Sequence, residues 1–341
     1  MTQINCDVIG IGNAIVDVIS HADDTFLAAN GIEKGSMTLI DAARAEDLYS
    51  RLGPGIEISG GSAANTMAGI ASLGGCARFV GRVRNDQLGM VFAHDIQAAG
   101  VRFSTPFSTN GAPTARCLVL VTPDAQRSMN TFLGASIELG PEDIVDADIT
   151  GAQITYLEGY LWDPPQAKEA IRKAVTLAHG ARRKVAFSLS DSFCVHRHRS
   201  EFLELIKGSI DILFANESEI LALFQTDDFA EAVRAVQEAG ILTILTRGGL
   251  GAVVVKGNAL HDISAEDVAR VVDTTGAGDL FAAGFLHGLT RQRPLPECAR
   301  LGAIAAAEII GHIGARPAVS LELLVGERLR RPAIARESAG F

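Results

Sequence analysis

Within these 341 residues no apolar stretch of about 18 or more lacks a charged side chain, so no membrane span is expected. Basic excess is missing too. The chain has 30 Lys and Arg against 40 Asp and Glu, and a formal net charge of −10. That balance argues against a nucleic-acid or anionic-membrane surface, either of which needs basic patches. The five cysteines (Cys6, Cys76, Cys117, Cys194, Cys298) are scattered and show no C-x-x-C spacing. A zinc or disulfide framework is therefore excluded, and reduced, mostly buried thiols of a cytoplasmic protein are expected. No basic n-region precedes the apolar residues of Met1 to Val8, which read as a buried strand and not as a signal peptide. No G-x-x-x-x-G-K-[ST] phosphate loop occurs, which rules out the P-loop enzymes, and Gly10-x-Gly12 lacks the third glycine of a dinucleotide fingerprint. Neither an internal repeat nor a linker-like change of composition divides the chain, so residues 1–341 are expected to form one domain.

What is present centres on Val272-Asp273-Thr274-Thr275-Gly276-Ala277-Gly278-Asp279-Leu280-Phe281. A β-branched run stops at Asp273, and an apolar helical pattern begins after Asp279. The small residues between them can aim their amides at one spot, where the positive end of the helix also favours an anion. Asp279, in the first helical turn, sets a carboxylate beside that anion hole of Gly276, Ala277 and Gly278. Coupling the two suits transfer of a phosphoryl group to a hydroxyl. The plainer alternative is a tight turn with Asp279 as a helix-start carboxylate.

Taken in order, the chain opens with a strand over residues 6–11. The apolar alternation continues through Val16, Val18 and Ile19 as if the strand left its sheet, and it carries Asn13 and Asp17. These two polar groups would be costly if buried without partners, so they either bind a polar ligand or lie on the surface. A short helix over Asp24 to Ala29, a strand over Ser36 to Ile40 and a helix capped by Asp41 follow. Gly60, Gly61 and a run of small residues then open a long helix with Asn65 in its first turns, a pattern that serves close packing or ligand contact.

Residues 101–133 read as strands, with Ala115 to Thr122 and Arg127 to Phe132 joined by a turn at Thr122-Pro123-Asp124-Ala125. Arg127 stands on the return strand, where a solvated side chain is the commonest role for Arg. The strand set of about 14–40 and 101–133 has the form of a small β lid over an α/β crevice, with Gly12 and Gly100 as its hinges. From residue 140 onward, strands at 154–158, 185–190, 210–215, 242–247 and 251–256 alternate with helical patterns between most of them. The α/β architecture this predicts is a doubly wound, mainly parallel sheet flanked by helices, with its crevice at the carboxyl ends of the strands. Asn216 and Glu219, three apart at a helix start, either face one site or cap the helix. Thr246-Arg247-Gly248-Gly249-Leu250-Gly251 is a glycine turn that an ordinary hairpin would also explain.

From Gly12 to about Pro317 the chain resembles, through five motifs in the same order, the ribokinase (PfkB) family of sugar and nucleoside kinases. The family's D-T-x-G-A-G-D-x-F signature is matched in full from Asp273 to Phe281. The resemblance implies that Asp279 is the catalytic base and that Gly276, Ala277 and Gly278 form the anion hole. Gly60, Gly61 and Asn65, followed by the segment from Leu73 to Gly89, are similar to the N-terminal signature, whose amides and Asn hold sugar hydroxyls. Gly12-Asn13 with Asp17, and Met129-Asn130-Thr131-Phe132-Leu133-Gly134-Ala135, look more like the adenosine kinase branch. That makes Asn13 and Asp17 ribose ligands, and Phe132 could stack on a base.

By the same resemblance Arg127 swings onto the transferring phosphate. Asn216 and Glu219 form the N-x-x-E motif linked to Mg²⁺ through ordered water. Thr246, Gly248 and Gly251 match the T-[KR]-G-x-x-G turn along the ATP phosphates. Asp273 and Thr275 match half of the monovalent-cation site of ribokinase itself, which adds K⁺ to ATP and Mg²⁺ as implied cofactors. The implied reaction is ATP-dependent phosphorylation of the 5′-hydroxyl of adenosine or a related nucleoside. The implied partners are a nucleoside or sugar and ATP, in a monomer or homodimer. Thr275 stands where animal adenosine kinases commonly have Asn and looks more like the sugar kinases. A ribokinase-like sugar kinase is therefore the alternative, beside a binding protein of the same fold without chemistry.

Overall fold

The structure is a computed structural model that describes residues 3–124 and 126–330. Met1 and Thr2 of the expected first strand, Ala125 of the expected turn and residues 331–341 of the expected domain lie outside the described residues. In chain order the strands are β1 (Cys6–Ile11), β2 (Ile15–His21), β3 (Met37–Leu39), β4 (Gly55–Gly60), β5 (Ala77–Val80), β6 (Arg102–Phe103) and β7 (Ala115–Val121). They continue as β8 (Arg127–Phe132), β9 (Ala152–Glu158), β10 (Lys184–Ser188), β11 (Ile212–Asn216), β12 (Leu242–Thr246), β13 (Ala252–Lys256) and β14 (Ala259–Ile263).

Among the described residues the main sheet has nine strands in the order β14-β13-β12-β11-β10-β9-β1-β5-β6. From β12 to β6 every neighbouring pair is parallel, and β12-β13-β14 make an antiparallel edge. β1 is buried at all six positions, as a parallel strand with both faces covered must be. Its alternate residues separate two layers of core. Val8 joins Tyr156, Phe214, Met67 and Phe285 on one face, under helices Ser62–Ser72, Gln87–Ala98, Ala277–Thr290 and Leu295–Ile309. Ile9 and Ile11 join Leu157, Leu213, Trp162 and Phe202 on the other, under helices Pro165–Gly180, Ser192–Gly208, Glu217–Phe224 and Phe229–Ala239.

Because they run parallel, β1, β9, β10, β11 and β12 all end along one edge, at Ile11, Glu158, Ser188, Asn216 and Thr246. The order reverses at β1, with β5 and β6 on one side and β9 to β12 on the other. Ligands of open α/β sheets bind outside such a switch point.

Over that edge lies the second sheet, in the order β3-β8-β7-β2-β4. Its composition departs from the expected lid in two ways. β4 belongs to it although residues 55–60 were not read as a strand, and Arg102–Phe103 pair with β5 in the main sheet instead. Gly100 follows the helix Gln87–Ala98 and leads into β6, so it is not at a junction of the second sheet. Gly12 does sit between β1 and β2, but there a side chain would overlap the Glu158 carboxylate, so glycine is required by close packing.

Register divides the second sheet into two faces. Asp17, Cys117 and Thr131 lie in one row across β2, β7 and β8, next to Ile19, Val119 and Met129. Val16, Val18 and Leu118 face the other way and pack with Leu48 of the helix Ala42–Arg51, whose N-cap is Asp41 as expected.

Candidate active site

Two helix starts converge at the crevice. The helix Ser62–Ser72 and the helix Ala277–Thr290 approach so closely that a Cβ on Gly69 would lie 2.6 Å from the Ala283 Cβ. The run of small residues read from the sequence thus serves close packing, here of helix on helix. That approach brings the two N-termini together. Ser62 Oγ donates to Asp279 Oδ1 at 2.6 Å, and Asn65 Nδ2 donates to Asp279 Oδ2 at 2.9 Å. Gly276, at φ +78°, is the N-cap of the second helix, and Ala277, Gly278 and Asp279 fill its first turn, whose amides have no helical carbonyl to bond, although that of Ala277 donates to the Thr274 carbonyl at 3.2 Å. A Cβ on Gly276 would meet the Ala315 Cβ at 2.9 Å, so the segment after the helix Leu295–Ile309 closes this turn from behind. Burial raises the Asp279 acid above the usual carboxylate range, against the hydrogen bonds of Ser62 and Asn65 and the charge of Arg316.

At the switch point Asn13 and Glu158 are both buried. Glu158 Oε1 accepts from the Asn13 amide at 2.7 Å and from Asn13 Nδ2 at 2.8 Å, while Oε2 accepts from the Ala63 amide at 2.8 Å. One carboxylate therefore fastens the end of β1, the end of β9 and the start of the helix Ser62–Ser72. Burial pushes its acid up to about 7, opposed by those three hydrogen bonds. Since both Asn side chains turn their amide nitrogens to carboxylates, Asn13 Oδ1 and Asn65 Oδ1 are left buried without a partner among the described residues. Asp17 projects from β2 of the second sheet toward the same space. Burial pushes it up to about 7, with Arg316 and Arg127 pulling it down and Asp279 and Asp273 pushing it further up. A side chain at Gly60 would collide with the Asp17 carboxylate, and one at Gly61 (φ +98°) with the Asn13 carbonyl oxygen. Phe132 is placed differently. It pairs with Arg116 and so shares the helix-covered face with Val16, whereas Asp17 lies on the other.

Arg127 is not solvated. Its Nη1 pairs with Asp273 Oδ2 at 2.6 Å and donates to Thr275 Oγ1 at 3.2 Å, joining β8 to the stretch before the anion turn, while Nη2 is buried without a partner among the described residues. Asp273 also accepts from the amides of Thr275 at 3.0 Å and Gly314 at 3.1 Å. Asp273 Oδ2 therefore serves two protein donors and Oδ1 one, which leaves Oδ1 a free lone pair. Asn216 and Glu219 form a full capping box, with Glu219 Oε1 accepting from Asn216 Nδ2 at 2.6 Å and Oε2 from the Asn216 amide at 2.9 Å. The acid of Glu219 is pushed up to about 7 by burial and by the neighbouring Asp191 and Asp279. Thr246, Gly248 (φ +55°) and Gly251 (φ +91°) shape the turn of the antiparallel pair β12-β13 at the same edge. Beside it Arg247 makes a two-pronged pair with Glu217.

Ser62, Glu158 and Arg316 are site residues that lie outside the motif positions named above. Ser62 directly follows Gly60-Gly61 and Glu158 is the charged end of an apolar strand, both usable signals. Arg316 had none beyond its place in a turn.

A family model described as pfkB family carbohydrate kinase matches residues 37–321. The adenosine kinase of Saccharomyces cerevisiae is 28% identical over 330 residues, which are 89% of this chain and 94% of that protein. The solved structure of adenosine kinase from Sinorhizobium meliloti is 54% identical with a TM-score of 0.89, over 96% of this chain and 99% of that one. A probable sugar kinase from Rhizobium etli CFN 42 is 51% identical with a TM-score of 0.90, over the same shares. A match of this extent, on a crevice built in this way, means that the chain belongs to the pfkB family of carbohydrate kinases and is a phosphotransferase with an alcohol group as acceptor.

Proposed function

We propose that the chain is an ATP-dependent adenosine kinase, transferring the γ-phosphoryl group to the 5′-hydroxyl of adenosine. The observation that carries this reading is the Asp279 carboxylate, held by Ser62 and Asn65 at the mouth of the anion turn. Asp279 takes the hydroxyl proton as the new O–P bond forms and the bond between the γ-phosphorus and the β-phosphate oxygen breaks, releasing ADP. The Gly276-Ala277-Gly278 amides offset the charge on the moving group. Asn13 Oδ1, Asn65 Oδ1 and Asp17 accept from substrate hydroxyls, with the Gly60-Gly61 turn lying against them. Arg127 Nη2 is the donor left for a phosphate oxygen. Magnesium bound to the nucleotide supplies charge neutralisation on the phosphates. Glu219 has both oxygens in its cap, so it would reach such an ion through water, which suits magnesium. The Thr246–Gly251 turn would border the phosphates. We read the described residues as one domain, with the second sheet as its lid, working in cytoplasmic purine salvage.

A second reading, a sugar kinase, is favoured by Thr275 and by the likeness to the probable sugar kinase from Rhizobium etli. An ADP-release assay with adenosine, inosine, guanosine, cytidine, ribose and fructose 6-phosphate decides. Adenosine should turn over best. Turnover of ribose or fructose 6-phosphate alone would support the second reading, and no turnover of any would mean a binding protein.

A further inference from the structure

Arg316 lies between the two halves of the site. Its Nε donates to the Ser59 carbonyl at 2.9 Å, Nη2 to Ser59 Oγ at 2.8 Å, and Nη1 to the Ala64 carbonyl at 2.7 Å. Ser59 and Ala64 bracket Gly60-Gly61-Ser62-Ala63, so one rigid guanidinium grips both ends of the turn that presents Ser62 and Asn65 to Asp279. Ser59 is held from the far side as well, its amide donating to Asp95 Oδ2 at 2.8 Å. The residue before Arg316 is Ala315, which packs on Gly276 of the anion turn. We propose that Arg316 is a positioning residue for phosphoryl transfer: it clamps the Ser59–Ala64 turn to the segment behind the anion turn and so fixes Ser62 and Asn65 on the Asp279 carboxylate.

The proposal rests on the phosphotransfer reading and deepens it. Lysine cannot replace this clamp, because a single ammonium does not span two carbonyls and a hydroxyl in fixed geometry. Charge acts in the same direction. The groups facing Asp279 are Asp17 from the second sheet, Glu158 and Tyr156 from β9, Tyr160 just after it, and Glu219 from the helix Glu217–Phe224. Arg316, whose own strongest counter-charge is Asp95 on the far side of Ser59, supplies positive charge that favours the ionised forms of both Asp279 and Asp17.

The test compares Arg316→Met and Arg316→Lys with the parent by kcat, KM for nucleoside and the pH profile of kcat/KM. Thermal unfolding confirms that each variant is folded at the assay temperature. Misplacing a reacting group by about 1 Å costs on the order of 10²-fold, so Arg316→Met should lose about that in kcat, with a smaller change in KM. Its acidic limb should also move to higher pH. Arg316→Lys should keep the limb of the parent and still lose about tenfold in kcat, because it keeps charge but not geometry. Variants that are less stable yet match the parent in kcat and limb within about twofold would make Arg316 a strut only and overturn the proposal. Should Arg316→Met fail to fold, Arg316→Lys decides on kcat alone, parental kcat overturning the proposal. A parent that phosphorylates none of the acceptors would count against the functional reading. In that case ¹³C-carboxyl NMR titration of Asp279, assigned with Asp279→Asn, still tests the clamp: an identical titration in Arg316→Met overturns it.

Discussion

Asp17 meets two opposed requirements. As a recognition group it must be ionised, because a carboxylate accepts from two vicinal hydroxyls and such charge-assisted bonds are worth roughly 1.5–3 kcal/mol each. As a side chain of the second sheet it is desolvated, and burial pushes its acid up to about 7. Removing it should therefore show first in binding. Asp17→Ala is expected to raise KM for adenosine by about 10- to 100-fold, and 2′-deoxyadenosine should be a poor substrate for the parent. Steady-state kinetics with both nucleosides check this. An Asp17→Ala variant that binds adenosine as tightly as the parent would reduce β2 to a structural element.

At the scale of elements, the site depends on how two turns and one sheet are held. Gly61 has φ +98° and its Cβ position is filled by the Asn13 carbonyl oxygen, so Gly61→Ala suffers both strain and overlap. We expect a loss of about 1–3 kcal/mol in stability, with a raised KM because Asn13 is displaced. Urea unfolding and adenosine kinetics measure the two, and unchanged values would contradict the close approach. The second sheet is tied to the anion turn by the Arg127–Asp273 pair and the Thr275 contact. Its edge strands β3 and β4 expose Met37, Leu39 and Ile56. At β4 the sheet is held more firmly, through Ser59 to Asp95 and Arg316, so closure would move the side of β3 and β8 and would keep water from the transferring group. Hydrogen exchange in β2, β3, β4, β7 and β8 should slow when adenosine is bound. Equal protection with and without it would mean a fixed sheet, and Arg127 would lose its proposed part in transfer.

The whole molecule carries an excess of buried acid around one crevice. Asp17, Glu158 and Glu219 are all pushed up to about 7. Each holds a proton in the folded chain at a pH where the unfolded chain has lost it. Their contribution to stability is therefore present below about pH 4 and lost as pH rises through about 7. His287, lowered to about 4 by burial, acts oppositely, but its effect is complete near 6.5. Between pH 6.5 and 8 the ligand-free chain should therefore lose stability, on the order of 1–2 kcal/mol, and Asp17→Asn should flatten the decline. Thermal unfolding across that window checks it, and a rising midpoint would contradict the assignment.

The same long-range packing decides what could be read in advance. Asp279 and its glycines were legible because the chemistry sits in nine consecutive residues from Asp273 to Phe281. The alternating strands were legible because their periodicity is local. Arg316, Glu158 and Ser62 act on residues far away in sequence, and no local pattern marks such a contact. Phe132 shows the other limit: in a strand a shift of one residue changes the face, and register, not motif, put it on the face away from Asp17. β4 was missed because Gly55 and Glu57 blur its alternation.

The central claim is that Asp279 is the base that takes the proton of the acceptor hydroxyl. Asp279→Asn keeps the shape and a hydrogen-bonding side chain but cannot accept that proton. The decisive measurement is single-turnover phosphoryl transfer from MgATP to adenosine by this variant, alongside calorimetric adenosine binding. The account predicts a rate lower by about 10² to 10⁴ with binding largely intact, the usual loss for a general base. Transfer at a rate near that of the parent would remove Asp279 from the chemistry, and with it the account of the site.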